Sequence, residues 1–118
     1  MTGAHVGFLV IEEKTSGIAG VVNINEIIAG SFQCAFLGYY GMASYAGKGL
    51  ITEAVGLAIR FAFDELGLHR LEANIQPGNI KSIALAKRPG FQLEGYSPRY
   101  LRVGTEWRDH QRWAILAS

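Results

Sequence analysis

The chain has 118 residues, 11 Lys plus Arg against 10 Asp plus Glu, and a formal net charge of +1. Apolar residues make up 49% and charged ones 18%. That excludes a disordered chain and predicts one globular domain over residues 1–118. The near-neutral balance excludes a general nucleic-acid or anionic-membrane binder, which carries a basic excess.

Cys34 is the single cysteine. It excludes an internal disulfide and suits a reducing compartment. Residues 1–5 show no basic region leading into a long apolar core, and Phe8 to Ile11 is strand-sized, too short for a membrane span. A cytoplasmic location and no membrane partner are the expectations.

In chain order, HVGFLVIEE (5–13) is a compact apolar run closed by the turn KTSG. IAGVVNINEII (18–28) alternates, with Ile18, Gly20, Val22 and Ile24 on one side, so the two segments read as a β-hairpin. FQCAFLGYYG (32–41) is a third strand, which extends an antiparallel meander. From Gly49 to Leu66 the period becomes helical, through Ile51, Ala54, Val55, Ala58, Ile59 and Ala62, and Gly67 is a suitable stop. HRLEANI (69–75) alternates again, with Leu71, Ala73 and Ile75 inward and Arg70, Glu72 and Asn74 on a wet or functional face. Asn79 is placed to cap a short helix whose stripe is Ile80, Ile83, Ala84 and Lys87, and Pro89 ends it near Lys87. FQLEGYSPRYLRV (91–103), broken near Pro98, and WRDHQRWAIL (107–116) are the last strands. The predicted fold is α/β (α+β), ordered βββ-α-β-α-ββ, with a mixed sheet and a crossover through the long helix.

SYAGKGLITEAV (44–55) sets small residues and a lysine ahead of the long helix. A helix start leaves N–H groups without partners and carries partial positive charge, so this is an anion-binding arrangement. It is not a P-loop: five residues separate Gly41 from Gly47, and Lys48 is followed by Gly49. As a dinucleotide fingerprint it fails at Thr52, where a third glycine belongs. Taken alone, a tight turn that touches no ligand explains it as well.

The stretch resembles the pyrophosphate loop of the GNAT superfamily of N-acetyltransferases, Gln/Arg-x-x-Gly-x-Gly/Ala, with Ala46 and Ile51 as departures. QPGNIKSIALAKRPGF (76–91) resembles that family's Asn-x-x-Ser/Ala segment ending in Gly-Phe. EGYSPRYLRVGTEWRDHQRWAIL (94–116) is similar to the last strands of the ribosomal-protein-alanine N-acetyltransferases, the RimJ/RimL branch, where Trp-Arg-Asp-His recurs. The resemblance implies a GNAT domain that starts at its second strand, without the opening strand and helices that wall the acceptor site.

Acetyl-CoA is then the implied donor and a primary amine the acceptor, in this branch a protein N-terminal alanine or serine of a ribosomal protein. Direct attack by the amine is implied, without an acyl-enzyme and without a metal. The implied CoA contacts are Met42, Ala43, Ser44, Ala46, Gly47, Lys48, Gly49, Leu50, Ile51, Thr52, Asn79 and Ser82. Met42 and Ala43 are expected nearest the thioester, and Ser82 is expected to hydrogen-bond its sulfur. An α-amino acceptor has a pKa of about 7.7–8.0, so a modest base suffices. Glu72 is one candidate base, with an ion pair to Arg70 as the competing reading. Asp109 and His110 are a second, with a structural hydrogen-bonded pair as its counterpart. The slot after Leu85, a tyrosine acid in many members of the superfamily, is Ala86. Cys34 reads as a small core residue. Tyr40 and Trp107 are expected near the acceptor groove. The rival reading is a CoA-binding module, non-catalytic or truncated, that acts through association such as a homodimer, because the missing elements would bare apolar sheet.

Overall fold

The computed structural model describes residues 4–28, 30–42 and 49–117. Its elements follow the expected order: β1 (Ala4–Ile11), β2 (Ile18–Ile28), β3 (Cys34–Gly41), α1 (Leu50–Arg60), β4 (Arg70–Ile75), α2 (Ile80–Lys87), β5 (Gln92–Val103) and β6 (Glu106–Leu116). They form one six-stranded sheet in the order β1-β2-β3-β4-β6-β5. Neighbours are antiparallel except β3 and β4.

The two parallel strands share only three rungs, Cys34 with Arg70, Ala35 with Leu71 and Phe36 with Glu72. Beyond Phe36, β3 stays with β2 as far as Gly41, and β4 stays with β6 as far as Ile75. The sheet therefore opens into a notch between the C-terminal ends of its two central strands. At such a point ordinary sheet hydrogen bonds are replaced by space for a ligand.

Strand pairing carries alternation across the sheet. Val22, Ile24, Leu37, Leu71, Ala73, Ile75 and Trp113 fall on the face that carries α1 and α2. Their burial with Val55, Ala58, Ile59, Ala62 and Ala86 makes the core. The α1 helix packs on β1–β3 through the apolar stripe expected of it. Its end widens into a π turn at Phe61–Glu65, where the Leu66 N–H donates to Phe61 O at 3.1 Å, and Gly67 follows at φ +66°. α2 stops at Lys87 as Pro89 predicts.

Three expectations about facing are corrected. Ile18 is exposed while Ala19 is buried, because the β1–β2 register shifts between Val10 and Ile11 and turns the strand start over. Ile80 is 71% exposed, and α2 packs through Ile83, Leu85 and Ala86 instead. Glu72 is buried, on a strand face expected to be wet. The break near Pro98 is present as a bulge: β5 slips against β6 between Ser97 and Leu101, with Arg99 at φ +45°.

Candidate functional site

A cavity of about 680 Å³ lies at the open end of the notch on the helix face. Tyr39, Tyr40, Gly41 and Met42 line it from β3, Gly49 to Thr52 from the start of α1, and Asn79, Lys81, Ser82, Leu85 and Arg88 from α2. It thus brings together Met42, Gly49, Leu50, Ile51, Thr52, Asn79 and Ser82 of the expected CoA contacts. Ala43, Ser44, Ala46, Gly47 and Lys48 lie outside the described residues.

Gly49 stands just before α1 at φ +74°, with nothing within 4 Å of where a Cβ would be. Glycine is therefore needed there for backbone conformation rather than for space. The first i to i+4 bond of α1 is the one from Glu53 N–H to Gly49 O, at 3.1 Å. The N–H groups of Leu50, Ile51 and Thr52 precede that bond and point out of the helix start, where an anion is favoured. The helix start is seated tightly: Ile51 packs against Gly20 and Gly41, and a Cβ at Gly20 would run into Ile51 Cδ1 and the Tyr40 carbonyl oxygen. Lys81 and Arg88 were not anticipated. They lie seven residues apart, Lys81 in the first turn of α2 and Arg88 at its C-terminal cap, and add positive charge to the same cavity.

Asn79 caps α2, its side-chain oxygen accepting from Ser82 N–H at 3.2 Å. Ser82 then meets β3: its Oγ donates to Tyr39 Oη at 3.0 Å, and Tyr39 Oη donates to the Ser82 carbonyl at 2.8 Å. Burial pushes the Tyr39 phenol above its ordinary pKa. Tyr39 therefore crosses from the strand to the helix, a role the sequence does not reveal because the neighbouring Tyr40 is an equally aromatic choice. Tyr40 also lines the cavity and is 63% exposed.

Glu72 and His110 are not brought into this cavity. Glu72 sits at the last β3–β4 rung, and its carboxylate accepts from Arg70 Nε at 2.8 Å, which is the competing reading of that residue. Arg70 also binds Glu94 and holds that carboxyl below its usual range. Cys34 is buried with its sulfur 3.9 Å from Glu72, and burial pushes its thiol up, as suits a small core residue. His110 is buried on β6, its Nδ1 3.0 Å from the Arg108 carbonyl and its ring edge-on to Tyr100. Asp109 binds the Tyr96 hydroxyl and accepts from Arg99 N–H at 2.8 Å, so it pins the β5 bulge. The Tyr96 hydroxyl and then that N–H hold its carboxyl below the ordinary value. Trp107 is exposed beside the β5–β6 turn and does not line the cavity.

Among the described residues no helix is long and apolar enough to cross a membrane. Residues 1–92 match the Acetyltransferase (GNAT) domain. A probable N-acetyltransferase of Bacillus subtilis, YjcK, is 41% identical over 99 residues, 84% of this chain and 55% of the relative. The [Ribosomal protein uS5]-alanine N-acetyltransferase of Escherichia coli is 38% identical over 113 residues, 96% of this chain and 58% of the relative. The chain thus spans about half the length of the curated relatives it matches. Among solved structures, Mycobacterium smegmatis RimJ in complex with CoA-disulfide superposes with a TM-score of 0.89 at 34% identity, over 96% of this chain and 53% of that one. With six mixed strands opened into a notch and a domain match over most of its length, the chain belongs to the GNAT acetyltransferase family.

Proposed function

We propose that the protein moves an acetyl group from acetyl-CoA to a primary amine, and that the amine is the N-terminal alanine or serine of a protein of the ribosomal type. The observation that carries the donor half is the cavity at the notch, which unites the end of β3, the open N–H groups of α1 and the Asn79–Ser82 corner of α2. The relative named for an alanine N-acetyltransferase supports the acceptor half.

In this reading the N–H groups of Gly49 to Thr52 hold the pyrophosphate, and Ala46, Gly47 and Lys48, outside the described residues, are assigned to the same loop by the family resemblance. Lys81 and Arg88 add charge for the phosphates. The edge of β3 left unpaired by β4 beyond Phe36, as far as Gly41, runs beside the pantetheine and offers N–H donors to the oxyanion, while the Met42 N–H is held by the Ala19 carbonyl at 2.8 Å; Ala43 and Ser44, outside the described residues, are assigned to the same contact by the family resemblance. Losing one such donor raises a barrier by about 2.7–4 kcal/mol. The amine approaches from the face without helices, attacks the thioester directly, and the sulfur departs near Ser82. Glu72 is committed to Arg70, so the amine's proton goes to water, which an α-amino group with a pKa of about 7.7–8.0 permits near neutral pH. His110, on the helix-free side of β6, is assigned to the acceptor side as a structural support of that face.

A thiol-release assay with acetyl-CoA and peptides beginning with Ala or Ser is the test. Turnover that depends on the peptide's free N-terminus is the expected result. CoA binding without release of thiol, over a panel of peptide, polyamine and lysine acceptors, would leave the association-only module in its place.

A further inference from the structure

Tyr39 and Ser82 face each other across the cavity and form a closed pair. Ser82 Oγ donates to Tyr39 Oη at 3.0 Å, and Tyr39 Oη donates to the Ser82 carbonyl at 2.8 Å. Tyr39 lies beyond the last β3–β4 rung at Phe36, so its backbone belongs to the notch and its side chain to the helix corner. Both residues line the cavity. A hydroxyl rotates freely and is both donor and acceptor. The same two oxygens therefore support a second arrangement in which Tyr39 donates to Ser82 Oγ and Ser82 donates into the cavity.

We propose that Tyr39 is a positioning residue for acetyl transfer, switching its hydroxyl hydrogen from the Ser82 carbonyl to Ser82 Oγ as charge builds on the departing sulfur. This rests on the acetyl-CoA reading above. In the step, the amine nitrogen bonds to the acetyl carbon and the carbon–sulfur bond breaks, its electron pair going to sulfur. Ser82 O–H then points at the sulfur, and Tyr39 O–H at Ser82 Oγ. The proton the amine loses passes to water, and the sulfur takes one back, so CoA leaves as the thiol. Both hydroxyls end as they began. Tyr39 acts through Ser82 because chained hydroxyls polarise one another. Its half-buried phenol stays protonated at neutral pH and keeps a hydrogen to give.

The deciding measurement is the pKa of the CoA thiol when bound, followed by thiolate ultraviolet absorbance, because it needs no turnover. Tyr39→Phe and Ser82→Ala are each expected to raise that pKa by about one unit, a tenfold loss of thiolate stabilisation. The double variant is expected to match either single one, and kcat to fall about tenfold with KM for acetyl-CoA unchanged. An unchanged thiol pKa in Tyr39→Phe, or shifts that add in the double variant, would overturn the proposal. If Tyr39→Phe fails to fold, Ser82→Ala breaks the same pair from the helix side, and an unchanged pKa there overturns it equally. A wild-type protein that binds CoA without acetylating any amine would defeat the transfer reading while the titration still judges the pair. Absence of CoA binding would defeat both.

Discussion

Arg70 is the residue on which the centre of the sheet turns. It lies on β4, reaches Glu72 two positions along the same strand, and crosses β6 to Glu94 on β5. The crossing is open because β6 offers the small Ala114 at the rung of Glu72. Arg70→Ala would leave the buried Glu72 carboxylate without its partner, and we expect a loss of about 3 kcal/mol in urea unfolding. The pH dependence of the pair has a definite sign. The guanidinium of Arg70 holds the Glu94 carboxyl below its unfolded value, so the stabilisation is present above the ordinary carboxylate range. It is lost as the pH falls through the lowered value. Unfolding curves of the wild type and Glu94→Gln should therefore differ at neutral pH and converge in acid. This network was only half legible in the sequence. Arg70 and Glu72 are two apart on one strand face and announce a pair, whereas Glu94 becomes a neighbour only through the strand order. At Asn79 the residue reading and the structure coincide: Asn79→Ala removes the cap of α2, and we expect about 1 kcal/mol of lost stability with weaker CoA binding by calorimetry, since Asn79 itself lines the cavity.

At the scale of elements, the long helix and its glycine are the clearest outcome. An unbroken apolar period, a glycine at each end and a fixed place between strands make α1 legible in the sequence. What its start rests on was hidden, because Gly20 and Gly41 come from separate strands and meet Ile51 only in the folded sheet. Gly20→Ala is expected to push the first turn of α1 off β2 and β3. Overpacking of that kind costs about 1–3 kcal/mol, and the displaced N–H groups should lower CoA affinity more than Tm alone would suggest. Comparing calorimetric Kd with Tm in the variant checks this. The second helix was legible in its limits and not in its facing. Its eight residues contain small or apolar side chains on nearly every side, so two stripes fit the sequence equally and only the packing of Ala86 and Leu85 chooses between them. Bulges caused the remaining departures: a one-residue slip at Ile18 reverses a strand face, and the sequence carries no sign of it beyond two adjacent apolar residues.

At the scale of the whole molecule, the proposed function uses one face of the sheet for the donor and the other for the acceptor. Both helices and the cavity share a face, and the cavity lies where β3 and β4 have stopped pairing. Nothing in the local periodicity encodes that notch. It arises because β3 and β4 each keep pairing with an outer antiparallel neighbour after they stop pairing with one another. The order of elements was legible because each one has its own period and its own stop, and the glycine-loop and Asn-x-x-Ser motifs were legible because both fall at helix starts, where local rules are strongest. The placement of Glu72, His110 and Trp107 was less so: they are ordinary polar and aromatic residues whose position depends on long-range pairing. If the notch cavity holds CoA, the backbone amides that line it respond when CoA is titrated in. Large amide shifts are expected at Gly49 to Thr52, Met42 and Ser82, with Trp107 and Val103 at the β5–β6 turn unmoved. Shifts confined to other surfaces, or none at millimolar CoA, would contradict binding there.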